Sequence, residues 1–158
     1  MTTVEEGKTV ADFEAEMTDG QRFKLSDFKG KYLVLYFYPR DNTPGCTKEG
    51  QDFSEHYSEF AALNADIVGI SRDSLTSHQK FKEKYAFPFQ LIADPDETLC
   101  TIFAVIKMKN MYGKQVRGIE RSTFLIAPDS VLIKEWRKIK VKGHVEDVLE
   151  AICHHSKE

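Results

Sequence analysis

Leu33-Val34-Leu35-Tyr36-Phe37-Tyr38-Pro39-Arg40-Asp41-Asn42-Thr43-Pro44-Gly45-Cys46-Thr47 is the stretch that decides how this chain folds. Its first six residues are apolar without a break, the pattern of a β-strand buried on both faces. Pro39 has no N–H and a fixed φ, so the strand ends there. A short polar loop follows, and a helix begins at the cysteine. From Pro44 to Leu63, residues Cys46, Gly50, Phe53, Tyr57 and Phe60 fall at i, i+4, i+7, i+11 and i+14, along one helix face. Cys46 therefore belongs to the inward face, in the first turn. The positive end of the helix dipole favours the thiolate, which is the reactive form of a cysteine.

Outward from this unit, the N-terminal part reads as a β-hairpin. Ala11 to Met17 alternates loosely, Asp19-Gly20 suits a turn with positive φ, and Gln21 to Leu25 returns. Downstream, Ile67 to Ser71 is a second buried strand, and Asp73 or Ser74 caps a helix running to Tyr85. Phe87 to Ile92 is a short strand broken early by Pro88, Asp96 to Ala104 a helix, and Lys107 to Glu120 a polar loop with two glycines. Ser122 to Ala127 and Val131 to Arg137 pair across a Pro128-Asp129 turn. Val145, Val148, Leu149 and Ile152 make the stripe of a terminal helix. Strands alternate with helices in the middle and pair as a hairpin near the end. That order predicts an α/β three-layer sandwich with a mixed central sheet.

The 158 residues suit one domain, 1–158, with a core that needs no staples. With 22 basic and 25 acidic residues the net charge is -3, which argues against a nucleic-acid footprint. The one basic stretch with an aromatic, Lys134 to Lys142 around Trp136, alternates with apolar residues and reads as a solvated strand face. No run approaches the ~18 apolar residues of a membrane span. The polar, acidic start from Met1 to Glu6 is not that of a signal peptide. Three scattered cysteines, Cys46, Cys100 and Cys153, make no disulfide framework and fit a reducing cytoplasm.

Local spacing rules out several chemistries for Cys46. A phosphate loop needs a longer glycine-rich run ending in Gly-Lys-Ser/Thr. A cysteine phosphatase wants an arginine six positions after the nucleophile, where Asp52 stands. A dithiol oxidoreductase wants Cys-x-x-Cys, and position 49 is Glu49. What remains is Pro39-x-x-x-Thr43-x-x-Cys46, flanked by Phe37-Tyr38 and by Thr47-x-Glu49. Here the sequence resembles the peroxiredoxins, with further matches at Ser71-Arg72-Asp73-Ser74, Ala93-Asp94-Pro95-Asp96, Asn110 to Lys114 and Gly118 to Leu125. These look like the bacterioferritin-comigratory-protein, or peroxiredoxin Q, branch.

The resemblance implies a thioredoxin-like fold and thiol-dependent reduction of hydrogen peroxide and organic hydroperoxides, with no cofactor and no metal. It makes Cys46 the peroxidatic nucleophile, and its other catalytic residues fall on Thr43, Arg121 and Pro39. The Thr43 hydroxyl can accept from one partner and donate to another, so it can hold thiolate and peroxide together. Pro39 shields the pocket. Arg121, at the start of a predicted strand, keeps its charge and by resemblance contacts both sulfur and peroxide. Glu49 would orient nearby donors by the same analogy.

The chain departs from its branch at the second cysteine. A resolving cysteine often lies five residues after the first, where Gln51 stands, or in the following helix, around Phe81-Lys82-Glu83. Three routes stay open for the oxidised Cys46: an external thiol (thioredoxin, glutaredoxin or a small thiol), Cys100, or Cys153. The first is the favoured one, and a monomer is expected. The alternative reading is a thioredoxin-fold redox sensor that uses Cys46 as a switch. Cys100 reads as a core residue and Cys153 as a packing or partly exposed one. The Cys153-His154-His155 run is a poor metal site, because adjacent helix positions point apart. His56 and His78 read as solvent-facing.

Overall fold

The computed structural model describes residues 4–157; Met1 to Thr3, the start of the stretch read as no leader, lie outside them. Seven strands form one sheet: β1 (Glu14–Met17), β2 (Arg22–Lys24), β3 (Tyr32–Phe37), β4 (Ala65–Ser71), β5 (Gln90–Ala93), β8 (Ser122–Ile126) and β9 (Leu132–Trp136). Their spatial order is β2-β1-β5-β4-β3-β8-β9. The central strands β5, β4 and β3 run parallel, while the N-terminal hairpin and the β8–β9 pair add antiparallel edges. This is the expected mixed sheet of a thioredoxin-like α/β fold.

β3 lies inside the sheet, between β4 and β8, and is buried at every position. Its side chains alternate between two cores. Leu33, Leu35 and Phe37 join Val68, Ile70, Phe103 and Phe124 on one face. Val34, Tyr36 and Tyr38 join Phe53, Phe60, Phe81, Leu125 and Val148 on the other. A continuous apolar run is thus what a strand between two helical layers requires. Burying each such side chain contributes roughly 1.5–3 kcal/mol, so β3 is the anchor on which the site is hung.

Five helices cover the sheet: α1 (Pro44–Glu55), α2 (Tyr57–Ala62), α3 (Leu75–Tyr85), α4 (Thr98–Ile102) and α5 (His144–Ser156). The first three and α5 feed the core that holds Tyr36, and α4 feeds the other. The expected 44–63 helix is interrupted at His56, whose φ of -99° and ψ of 5° break the run. The turn of the N-terminal hairpin falls at Asp19 and Gly20, both with positive φ.

Residues 107–120 are not a loop. They form most of a β-hairpin, β6 (Ile106–Met111) and β7 (Lys114–Ile119), which stands as its own two-stranded sheet. Tyr112 and Gly113, with φ of 54° and 81°, make the turn. Two positive φ values are what a tight hairpin turn needs. The hairpin escaped the hydrophobic pattern because nearly all of both strands is exposed or half-buried, so no apolar face marks its period.

His78 is a second correction. It is fully buried, at 0% exposure, rather than solvent-facing. It shares the inward face of α3 with Phe81, and its ring nitrogens meet polar partners deep in the structure. His56 is half-buried at the helix break, between Glu59 and Glu146 at 2.7 and 3.3 Å. No helix among the described residues is long and apolar enough to cross a membrane.

Candidate active site

Cys46 occupies the first turn of α1, and its side chain is 2% exposed. Thr43 is the N-cap and Pro44 the first helical residue, a position where proline loses no hydrogen bond. The N–H groups of this first turn have no intrahelical partner and point toward the loop. The thiol thus lies at the carboxyl end of β3, against the positive end of a helix, within the Tyr36 core.

Arg121 comes to it from 75 residues away. The reason is the register of the sheet. β8 is the antiparallel neighbour of β3, and Ser122 pairs with Phe37. The residue before β8 therefore lies beside the residues that follow β3. Arg121 stands in the link between β7 and β8, not on the strand itself, and its carbonyl is held by the Ile139 N–H at 3.1 Å.

The guanidinium divides its donors. Nη2 lies 3.4 Å from Cys46 Sγ, and Nη1 donates to Glu49 Oε1 at 2.6 Å. Glu49 is one turn after Cys46 and fully buried. Burial pushes its carboxyl up to about 7, although Arg121 pulls the other way. Its second oxygen, Oε2, has no partner among the described residues. Gly45 is a participant that the motif alone did not single out. A Cβ there would lie 3.1 Å from Arg121 Nη2, so the absence of a side chain is what lets the guanidinium sit over the sulfur.

Thr43 is half-buried, and its hydroxyl donates to the Arg40 carbonyl at 2.9 Å. The single hydroxyl proton is committed there, so toward any other partner Thr43 is an acceptor. Pro39 and Arg121 line a cavity of about 390 Å³ together with Lys109, Glu120, Lys138 and Ile139. The Lys109 ammonium donates to the Ile119 carbonyl; burial and then Arg121 push its proton affinity down.

The remaining cysteines stand apart. Cys100 is on α4 and is buried in the opposite core. Burial, then a hydrogen bond to Asp94, pushes its thiol far up, which keeps it protonated and unreactive. Cys153 is half-buried near the end of α5. Two residues on, His155 bonds Tyr32 at the start of β3, whereas Cys46 lies beyond the end of β3. Five residue steps along β3 separate those ends, roughly 17 Å. Gln51 is exposed on α1, and Lys82 on α3 donates to the Phe87 carbonyl at 2.9 Å.

The AhpC/TSA family model matches residues 7–135 of this chain. Peroxiredoxin Bcp of Bacillus subtilis is 51% identical over 150 residues, 95% of this chain and 96% of that protein. The bacterioferritin comigratory protein of Xanthomonas campestris, solved as trapped intermediate and ligand complexes that bear on its alkyl peroxide reduction activity, superposes with a TM-score of 0.86. It is 50% identical and covers 90% of this chain and 91% of its own. A mutant of Xylella fastidiosa PrxQ superposes at 0.93 with 42% identity over 99% of both chains. The sulfur at the helix start, the arginine over it and these likenesses converge: the chain belongs to the AhpC/TSA family, in the Bcp/peroxiredoxin Q branch of the peroxiredoxins.

Proposed function

We propose that Cys46 is the peroxidatic nucleophile of a thiol-dependent peroxidase acting on hydrogen peroxide and organic hydroperoxides, resolved by an external thiol. The observation that carries the reading is the bridge of Arg121 between Cys46 and Glu49, with Nη2 3.4 Å from the sulfur. A fixed guanidinium stabilises the thiolate before reaction, and then the charge that builds on the peroxide oxygens as the O–O bond breaks.

The thiolate attacks one peroxide oxygen. An S–O bond forms, the O–O bond breaks, and hydroxide or alkoxide leaves to take up a proton. Sulfur loses two electrons and becomes a sulfenic acid. Thr43 serves the substrate as acceptor, since its own proton is given to Arg40. It can hold the peroxide hydrogen and so aim the terminal oxygens at sulfur. Pro39 shares a cavity wall with Arg121, which places the proline beside the guanidinium. A reducing thiol then attacks the sulfenic sulfur, releasing water and leaving a mixed disulfide that a second thiol cleaves. The burial of Cys100 in the other core and the position of Cys153 at the far end of β3 support an external reductant. Thioredoxin, glutaredoxin or a small thiol, a monomeric enzyme and a cytoplasmic setting complete the reading.

The test is steady-state peroxide consumption with a thiol reductant. Turnover is expected for the native chain and none for Cys46→Ser. Consumption of one equivalent with no turnover by any thiol would instead make Cys46 a switch.

A further inference from the structure

We propose that Asp41 and His78 form a buried positioning pair that holds the peroxide-binding loop in its reactive shape. The inference rests on Cys46 being the peroxidatic cysteine. Residues 38–43 link β3 to α1 and carry both Pro39 and Thr43. This loop makes few backbone bonds to the rest of the fold. Tyr38 N–H donates to the Ile70 carbonyl at 3.0 Å, and Asn42 bends the chain with a φ of 63°. The tie in between is Asp41, which is buried although it lies in a polar loop.

Asp41 is satisfied from three directions. Its Oδ1 accepts from the Tyr38 hydroxyl at 2.6 Å. Its Oδ2 accepts from the Ser77 hydroxyl at 2.8 Å and lies 2.8 Å from His78 Nδ1. Its N–H donates to Asp73 Oδ2 at 2.9 Å, which the Ser71 hydroxyl also bonds. The far nitrogen of His78, Nε2, is 2.9 Å from the Ile92 carbonyl. A carbonyl only accepts, so Nε2 carries a hydrogen. Nδ1 and Oδ2 must then hold one further proton between them, because an acceptor cannot face an acceptor at 2.8 Å. The pair ties the loop to α3 and, through Ile92, to β5. A buried carboxyl group held by three partners, Tyr38, Ser77 and His78, is costly to leave half-satisfied. It specifies one loop conformation, and with it the placement of Thr43 relative to the sulfur.

Asp41 and His78 touch neither Cys46 nor Arg121 in any hydrogen bond, so they act through the loop. The test separates loop geometry from thiolate supply. His78→Gln places its amide nitrogen where Nε2 lies, keeping the Ile92 bond and dropping Asp41. His78→Asn places its nitrogen where Nδ1 lies, keeping Asp41 and dropping Ile92. Displacing a positioning loop by an ångström costs on the order of 10²-fold in rate. Stopped-flow oxidation of Cys46 by hydrogen peroxide is expected to slow at least about 10-fold in His78→Gln and to stay within about 3-fold of native in His78→Asn. Asp73→Ala, which removes the acceptor of the Asp41 N–H, is expected to slow it about 10-fold as well. Alkylation of Cys46 by iodoacetamide, which needs the thiolate but not the loop, should remain within about two-fold in all three.

Equal damage in His78→Gln and His78→Asn, or peroxide and alkylation rates that fall together, would show a structural role only and overturn the proposal. If His78→Gln does not fold, Asp73→Ala decides, and a native peroxide rate there refutes it. A native protein whose Cys46 does not react with peroxide would refute the peroxidatic reading instead, so the two failures are distinguishable.

Discussion

Cys46 and Cys100 are buried in different cores, on opposite faces of the seven-stranded sheet. The sheet stands between the two sulfurs, and a disulfide requires Cα atoms within about 7 Å. A peptide map after one equivalent of peroxide, without added thiol, is expected to show Cys46 as sulfenic acid or further oxidised. It should show no Cys46–Cys100 link. Cys100→Ser should consume peroxide at the native rate within about two-fold, since its thiol stays protonated and unreactive. A rapidly formed intrachain disulfide to Cys100 or Cys153 would contradict external resolution.

Gly45 gives a sharper test of the arginine. A methyl at this position would stand 3.1 Å from Nη2, closer than an ordinary contact. Helix propensity favours alanine over glycine by up to about 1 kcal/mol, so stability should hold or rise. The guanidinium, however, must shift by a few tenths of an ångström, which disturbs its contacts with Glu49 and the sulfur. Gly45→Ala is expected to lower the rate of peroxide reaction on the order of 10-fold with no loss of thermal midpoint. A native rate would mean that the Arg121–sulfur contact does not limit the reaction.

Glu49 makes stability depend on pH with a sign opposite to the usual carboxylate. Its folded value is raised from 4.5 to about 7, with burial the largest cause. Between those values the folded chain holds a proton that the unfolded chain has released. Stability therefore falls as pH rises through that window. The loss reaches about 3 kcal/mol above it, as an order of magnitude. Urea midpoints from pH 4.5 to 8 should decline less in Glu49→Gln than in the native chain. An identical slope in the two would contradict the assignment.

His144 acts the other way. Burial is the main cause that pushes it down to about 4 from 6.5, and Nε2 lies 2.8 Å from the Thr123 hydroxyl. Below 6.5 the unfolded chain takes a proton that the folded chain refuses until about 4. The contribution of His144 to stability is complete above 6.5 and is lost as pH falls toward 4. In the shared window from about 4.5 to 6.5 the two groups oppose each other, one proton each. His144→Gln should therefore unmask the Glu49 slope, and denaturation of both variants between pH 4.5 and 7 measures it.

Much of this was legible locally. The apolar run of β3 named its own burial on both faces, because period and composition are properties of neighbouring residues. The helix start at Cys46 was equally plain from Pro44 and the stripe through Phe60. The exposed β6–β7 hairpin was not, because a strand with little buried surface carries no hydrophobic period. Tyr112-Gly113 was its one signal. His78 reads as solvent-facing in the sequence although Phe81 and Tyr85 lie three and seven positions on, at helical spacing along the same face. A histidine there looks solvated until its buried partners are known.

By itself, the sequence determined that a thiol stands at the junction of a doubly buried strand and a helix, since backbone periodicity and a proline stop decide that within fifteen residues. Tertiary structure alone decided what surrounds the thiol. The antiparallel register of β3 with β8 carries Arg121 across 75 residues to the sulfur, and the sheet sends Cys100 to the other side. Tertiary contacts bring together residues whose separation along the chain leaves no local trace: the resemblance names Arg121, but the register that carries it to the sulfur and the Asp41–His78 pair are visible only in the fold.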